Sequence, residues 1–144
     1  MRANPLTVFE IEYIAFTLAR DLLALNEPIP ELSTRFPHRL ESCLAVPFQS
    51  FGKKAFFPTL VSKAAIIFYL LIKNYPFQNG NKRIAVTTLF VFLHLNGKWL
   101  KVHPEELLNF AIWVAASPHD YRDEVVKAIE KFIQKHLVKK EVKL

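Results

Sequence analysis

This 144-residue chain has little cysteine, little glycine and no long apolar run. Cys43 is the only cysteine. An intrachain disulfide is therefore excluded, and a reducing, cytoplasmic compartment is expected. Three glycines occur, Gly52, Gly80 and Gly97. So few suit a helical protein, and each marks a place where the backbone does something a side chain hinders. No run reaches the roughly 18 apolar residues a membrane span needs. The opening "MRANPLTVFEIEY" puts acids where a secretory signal has its apolar centre. The five histidines, His38, His94, His103, His119 and His136, are scattered without metal-ligand spacing. His94 sits on an apolar stretch and reads as structural. There is no internal repeat, no low-complexity linker and no basic-aromatic alternation of the kind that binds nucleic acid.

What is present is apolar mass. Half of the chain is hydrophobic and 13 residues are Phe. That suffices for one sizeable core in a single domain, residues 1–144, with its core at about 5–135. The Phe-rich segments read as core, and Cys43 as a buried apolar residue. The net charge is +6, and half of it lies in "KHLVKKEVKL", which holds four Lys against one Glu. This end, about 136–144, reads as a solvated basic tail. A basic balance suits an acidic partner or nucleic acid, the latter resting on charge alone.

The pattern along the chain is helical. Thr7 and Glu10 fit a capping box before a helical spacing that runs to about Leu25. Pro28 and Pro30 break it. "PHRLESCLAV" predicts a short helix with Pro37 at its start. "PFQSFGKKAFFP", residues 47–58, is bounded by prolines and centred on Gly-Lys-Lys, and reads as a loop or short β-hairpin flap. "TLVSKAAIIFYLLIKN", residues 59–74, is apolar nearly all round and predicts a buried helix. "NKRIAVTTLFVFLHLNG" predicts another, stopped by Asn96 and Gly97, despite its β-branched residues. "HPEELLNFAIWVAAS" and "DYRDEVVKAIEKFIQKHLV" complete the set.

Between the two most apolar helices lies "NYPFQNGNKR", residues 74–83. The second helix starts there, so its N-terminus offers N–H groups and a partial positive charge to an anion. Gly80 lets the backbone approach a phosphate, and Asn81 and the N–H groups after it line the approach. Arg83 is suited to a bidentate phosphate clamp, Lys82 adds a point charge, and Asn79 offers an oxygen to a phosphate-bound Mg²⁺. On residue chemistry alone, an anion site and a plain polar turn before a helix both remain open.

"YPFQNGNKR" resembles the signature loop of the Fic/Doc (Fido-fold) family: His-x-Phe, two residues, Gly or Ala, Asn, then Gly-Arg or Lys-Arg. The flanking "FFPTLVSKAAIIFYLLIKN" and "IAVTTLFVFLHLNGKWL" resemble the death-on-curing branch, Doc. The resemblance implies an all-α, compact Fido-type bundle with a small β-hairpin flap next to the active-site loop. It implies that Phe77 packs the loop into the core, that Gly80 and Asn81 hold nucleotide phosphates, and that Arg83 clamps them. Lys82 is the Doc version of a position that is usually glycine in AMP-transferases. The second arginine of the long Fic motif falls at Val86 and is missing. The implied reaction is phosphate transfer from ATP, with Mg²⁺, to a protein hydroxyl, with elongation factor Tu as target and arrest of translation as outcome.

Two positions depart from the family pattern. Tyr75 stands where the motif histidine takes the target's proton. Tyrosine ordinarily titrates near 10 and histidine near 6.5, so neutral tyrosine is mostly a donor. Asn79 stands where the family usually has a magnesium-ligating acid. The resemblance further implies that Lys53 and Lys54, on the flap, align the target segment. Family members are restrained by a glutamate in an S/T-x-x-x-E-G/N helix, which this chain lacks. A separate, Phd-like cognate antitoxin is therefore expected. The leading reading is a Doc-like toxin impaired at its catalytic base. The alternatives are a non-catalytic Fido pseudoenzyme that binds nucleotide or a partner, and an AMP-transferase.

Overall fold

The computed structural model describes residues 4, 5, 7, 10, 37–74 and 80–139. Among them are five α-helices and two small antiparallel sheets: α1 (Pro37–Ala45), β1 (Ser50–Phe51), β2 (Lys54–Ala55), α2 (Leu60–Lys73), α3 (Asn81–Leu95), β3 (Lys98–Leu100), α4 (Pro104–Ala116), α5 (Arg122–His136) and β4 (Leu137–Lys139). The fold is all-α, as expected. The N-terminal helix predicted to Leu25 and the proline break after it lie mostly outside the described residues. Its capping box is present: Thr7 N–H donates to Glu10 Oε1 at 3.0 Å, and Glu10 N–H to Thr7 Oγ1 at 3.1 Å.

The centre of the molecule is α2. From Ala64 to Lys73 every residue is buried, so neighbours surround the helix on all sides. It packs on α1, α3, α4 and α5. Phe68 of α2 stacks on Phe110 of α4 with ring centroids 6.4 Å apart, and Phe110 stacks on Phe132 of α5 at 4.4 Å. Each large apolar side chain fully buried there is worth about 1.5–3 kcal/mol, far more than any local helix preference. This is why β-branched α3, with Val86, Thr87 and Thr88 in sequence, is a helix and not a strand. It ends where expected, at Asn96, with Gly97 at φ 77° in the left-handed region.

The stretch 47–58 does form a hairpin, with Ser50 opposite Ala55 and Phe51 opposite Lys54. The C-terminal expectation needs correction. The last helix stops at His136, two residues short of its expected end, and residues 137–139, although largely exposed, are strand β4. They pair with β3, so that Lys98, Trp99 and Leu100 face Lys139, Val138 and Leu137. Periodicity misses such three-residue strands because each is held by the other, and their positions are 39 residues apart. At the other end, the Asn4 N–H donates to Asn96 Oδ1 at 2.6 Å and ties the N-terminal residues to the end of α3. No described helix is long and apolar enough to cross a membrane.

Candidate functional site

The segment joining α2 to α3 leaves one helix end and enters another. At the departing end, Lys73 is only 7% exposed, and its ammonium donates to the carbonyls of Ala115 and Ser117, at 3.2 and 2.5 Å. A cation on carbonyls at the C-terminal end of α4 satisfies oxygens the helix cannot, and complements its dipole. Asn74 follows, and its side-chain amide reaches Cys43 Sγ of α1 at 4.0 Å. Cys43 is fully buried, and burial pushes its thiol up to about 12, against the smaller opposing effect of the Asn74 amide. Such a thiol stays protonated and is inert as a nucleophile.

At the entering end, Gly80 is the N-cap of α3, at φ 73° and ψ 9°. An L-residue there meets a cost of about 1–2 kcal/mol, which glycine avoids. The first intrahelical bond, from Ile84 N–H to Gly80 O at 3.0 Å, leaves the N–H groups before it directed out of the helix end. Asn81 and Arg83 are buried, 6% and 5% exposed, and Lys82 is half-buried. Gly80, as N-cap, has no side chain with which to cap the helix, and the first turn of α3 holds no acid. The other helices with a described N-cap differ. Thr59 caps α2, the His103 ring accepts from Glu105 N–H at the start of α4, and Asp123 and Glu124 occupy the first turn of α5. Two cations beside a helix N-terminus oppose its dipole by about 0.3–1 kcal/mol each. An anion seated on the same N–H groups reverses the sign of that interaction.

The structure thus brings Gly80, Asn81, Lys82 and Arg83 into a single helix cap. Tyr75, Phe77 and Asn79 lie outside the described residues. Lys53 and Lys54 are not brought to this cap. The hairpin adjoins the Leu60 end of α2, and the loop leaves the Lys73 end, about 20 Å away by helix rise. Lys53 instead shares a pocket with Leu60, Asn96 and Lys98. His94 is exposed, edge-on to Trp99 at 6.0 Å. Among the described residues no three His, Cys, Asp or Glu gather as a metal site. Sequence reasoning missed Lys73. Its only signal is a lysine ending an otherwise apolar helix, and its partners lie more than 40 residues downstream.

A protein-family model described as the Fic/DOC family matches residues 5–93, which includes α1, the hairpin, α2, the loop and most of α3. The chain belongs to the Fic/Doc family. No curated protein and no solved structure matches it.

Proposed function

We propose that this Fic/Doc protein is a Doc-branch toxin of a cytoplasmic toxin–antitoxin pair, a phosphotransferase acting on a protein hydroxyl and slowed by Tyr75 in the base position. The observation that carries the reading is the N-terminus of α3, with a left-handed glycine, no acid and two cations in the first turn. That donor set fits the phosphates of ATP. Lys82 in place of glycine, and Val86 packed in the core at 1% exposure where a second arginine belongs to the long Fic motif, favour γ-phosphate transfer over AMP transfer.

In the proposed reaction the target hydroxyl oxygen attacks the γ-phosphorus. The bond between that phosphorus and the β–γ bridging oxygen breaks, ADP leaves, and the hydroxyl proton goes to a base. The N–H groups of Asn81 and Lys82 and the Arg83 guanidinium counter the charge on the phosphoryl oxygens, in a place shielded from water. Asn79 would offer this chain's oxygen to Mg²⁺, which would supply further neutralisation of the phosphate charge. Tyr75, a donor at neutral pH, holds its own proton and accepts the incoming one poorly. Elongation factor Tu is the proposed target, and a separate antitoxin the proposed partner.

Transfer of label from γ-labelled ATP to proteins of a cell lysate tests this. Tyr75→His should raise the rate by about 10²-fold or more, the low end of a positioned base's contribution. If the unaltered chain equals or exceeds the Tyr75→His form, and Tyr75→Phe abolishes transfer, the tyrosine is itself the base and the impaired-site reading fails. ATP binding without transfer in every form supports the non-catalytic alternative.

A further inference from the structure

All thirteen acidic residues of the chain lie outside residues 42–104, a stretch that carries eight Lys or Arg. Some of these cations form the α3 cap. Others gather elsewhere. At the hairpin end of the α2–α3 pair is a cavity of about 790 Å³, whose lining includes Lys53, Lys63 and Lys98. Lys63 donates to the Phe57 carbonyl and lies 5.7 Å from the centre of the Phe48 ring. Those partners orient an ammonium without neutralising it. Among the described residues no carboxylate lines the cavity. Its remaining wall is largely apolar, with Pro47, Phe48, Pro58 and Leu60.

A second observation comes from the β3–β4 pairing. Lys98 stands directly opposite Lys139. Directly opposed side chains share a face of the ladder, and like charges in that relation weaken it. Lys139 is therefore on the face of β3 from which Lys98 lines the cavity. The isolated chain gains nothing from this juxtaposition, whereas an anion bound on that face would meet both.

We propose that this cavity is a docking site for an acidic peptide segment of a partner protein. Its carboxylates lie against Lys53, Lys98 and Lys139, and one apolar side chain seats on Phe48, Pro47 and Leu60. The concave apolar floor favours a peptide over nucleic acid. Single strands are held by cations that track a backbone beside stacking rings, whereas these lysines converge on one hollow. The site lies at the opposite end of α2 from the loop before Gly80, about 20 Å away by helix rise.

The test uses the whole chain and a fluorescein-labelled peptide, Glu-Asp-Leu-Glu-Phe-Asp-Glu, followed by anisotropy at low ionic strength. Its Gln/Asn analogue and a single-stranded oligothymidylate serve as comparisons. Expected results are binding of the acidic peptide, weaker binding of the neutral analogue, and a loss of about tenfold or more in Lys53→Glu/Lys98→Glu. Lys127→Glu, exposed on α5, should leave binding unchanged. The milder Lys53→Gln/Lys98→Gln pair should show the same loss in part, and carries the test if the charge reversal unfolds the chain. Absence of binding, equal binding of the neutral peptide, or insensitivity to both double variants overturns the proposal. Tighter binding of the oligonucleotide, lost in the same variants, overturns it in favour of a nucleic-acid face.

Discussion

The two ends of α2 are built differently. At the Thr59 end the chemistry is local. The Thr59 N–H donates to Ser62 Oγ and the Ser62 N–H to Thr59 Oγ1, each at 3.0 Å, and Lys63 reaches back to Phe57 O. At the Lys73 end it is long-range: Lys73 holds the end of α4, and Asn74 touches α1. A helix end closed by its own neighbours forms wherever that sequence is helical. An end held by distant carbonyls exists only in the finished fold. The loop that carries the candidate chemistry leaves from the second kind of end, so its starting point is set by packing and not by local preference.

The largest effect expected from breaking this arrangement is at the loop's far side. Under the proposed function, Arg83→Ala would remove charge-assisted contacts to phosphate, each worth about 1.5–3 kcal/mol. ATP affinity by titration calorimetry should fall by about 10²-fold. An unchanged affinity would show that the helix cap alone holds the nucleotide.

Lys73→Met comes next. It leaves two carbonyls near the end of α4 without their donor, at about 2–3 kcal/mol in total. Urea denaturation should register the loss. Because the loop departs one residue later, nucleotide affinity should fall too. A stability loss with ATP binding intact would mean that the anchoring of α2 does not reach the cap.

The burial of Cys43, which the Asn74 amide only partly offsets, gives a pH signature. The folded thiol sits at about 12, above the ordinary 9.0. The unfolded chain therefore releases this proton first as pH rises. The contribution to stability is complete below about pH 9 and is lost between about 9 and 12, at about 1.4 kcal/mol per pH unit. Cys43→Ala should flatten that slope in alkaline denaturation curves, and an unchanged slope would assign it to other groups.

The smallest effect belongs to the local end. Thr59→Ala removes one half of the capping box and should cost about 1 kcal/mol of stability, read by thermal denaturation. ATP affinity should not move. If it does, the two ends of α2 are coupled along the helix, and the contrast between them is not functional.

By itself the sequence determined the described helices and most of their ends. The apolar run from Ala64 to Ile72 has no surface to expose, and the Thr59, Asn96 and Gly97 signals act within one turn of the elements they close. The helix start at Gly80, Asn81, Lys82 and Arg83 was legible for the same reason, since the four residues are consecutive. Only the tertiary structure decided what Lys73 does, how residues 137–139 pair with β3, and that Lys53 and Lys98 meet at one cavity. These depend on groups from about 40 residues apart arriving together. No local rule encodes that meeting, because burial of the shared core around α2 brings the segments together, and the polar contacts form where they arrive.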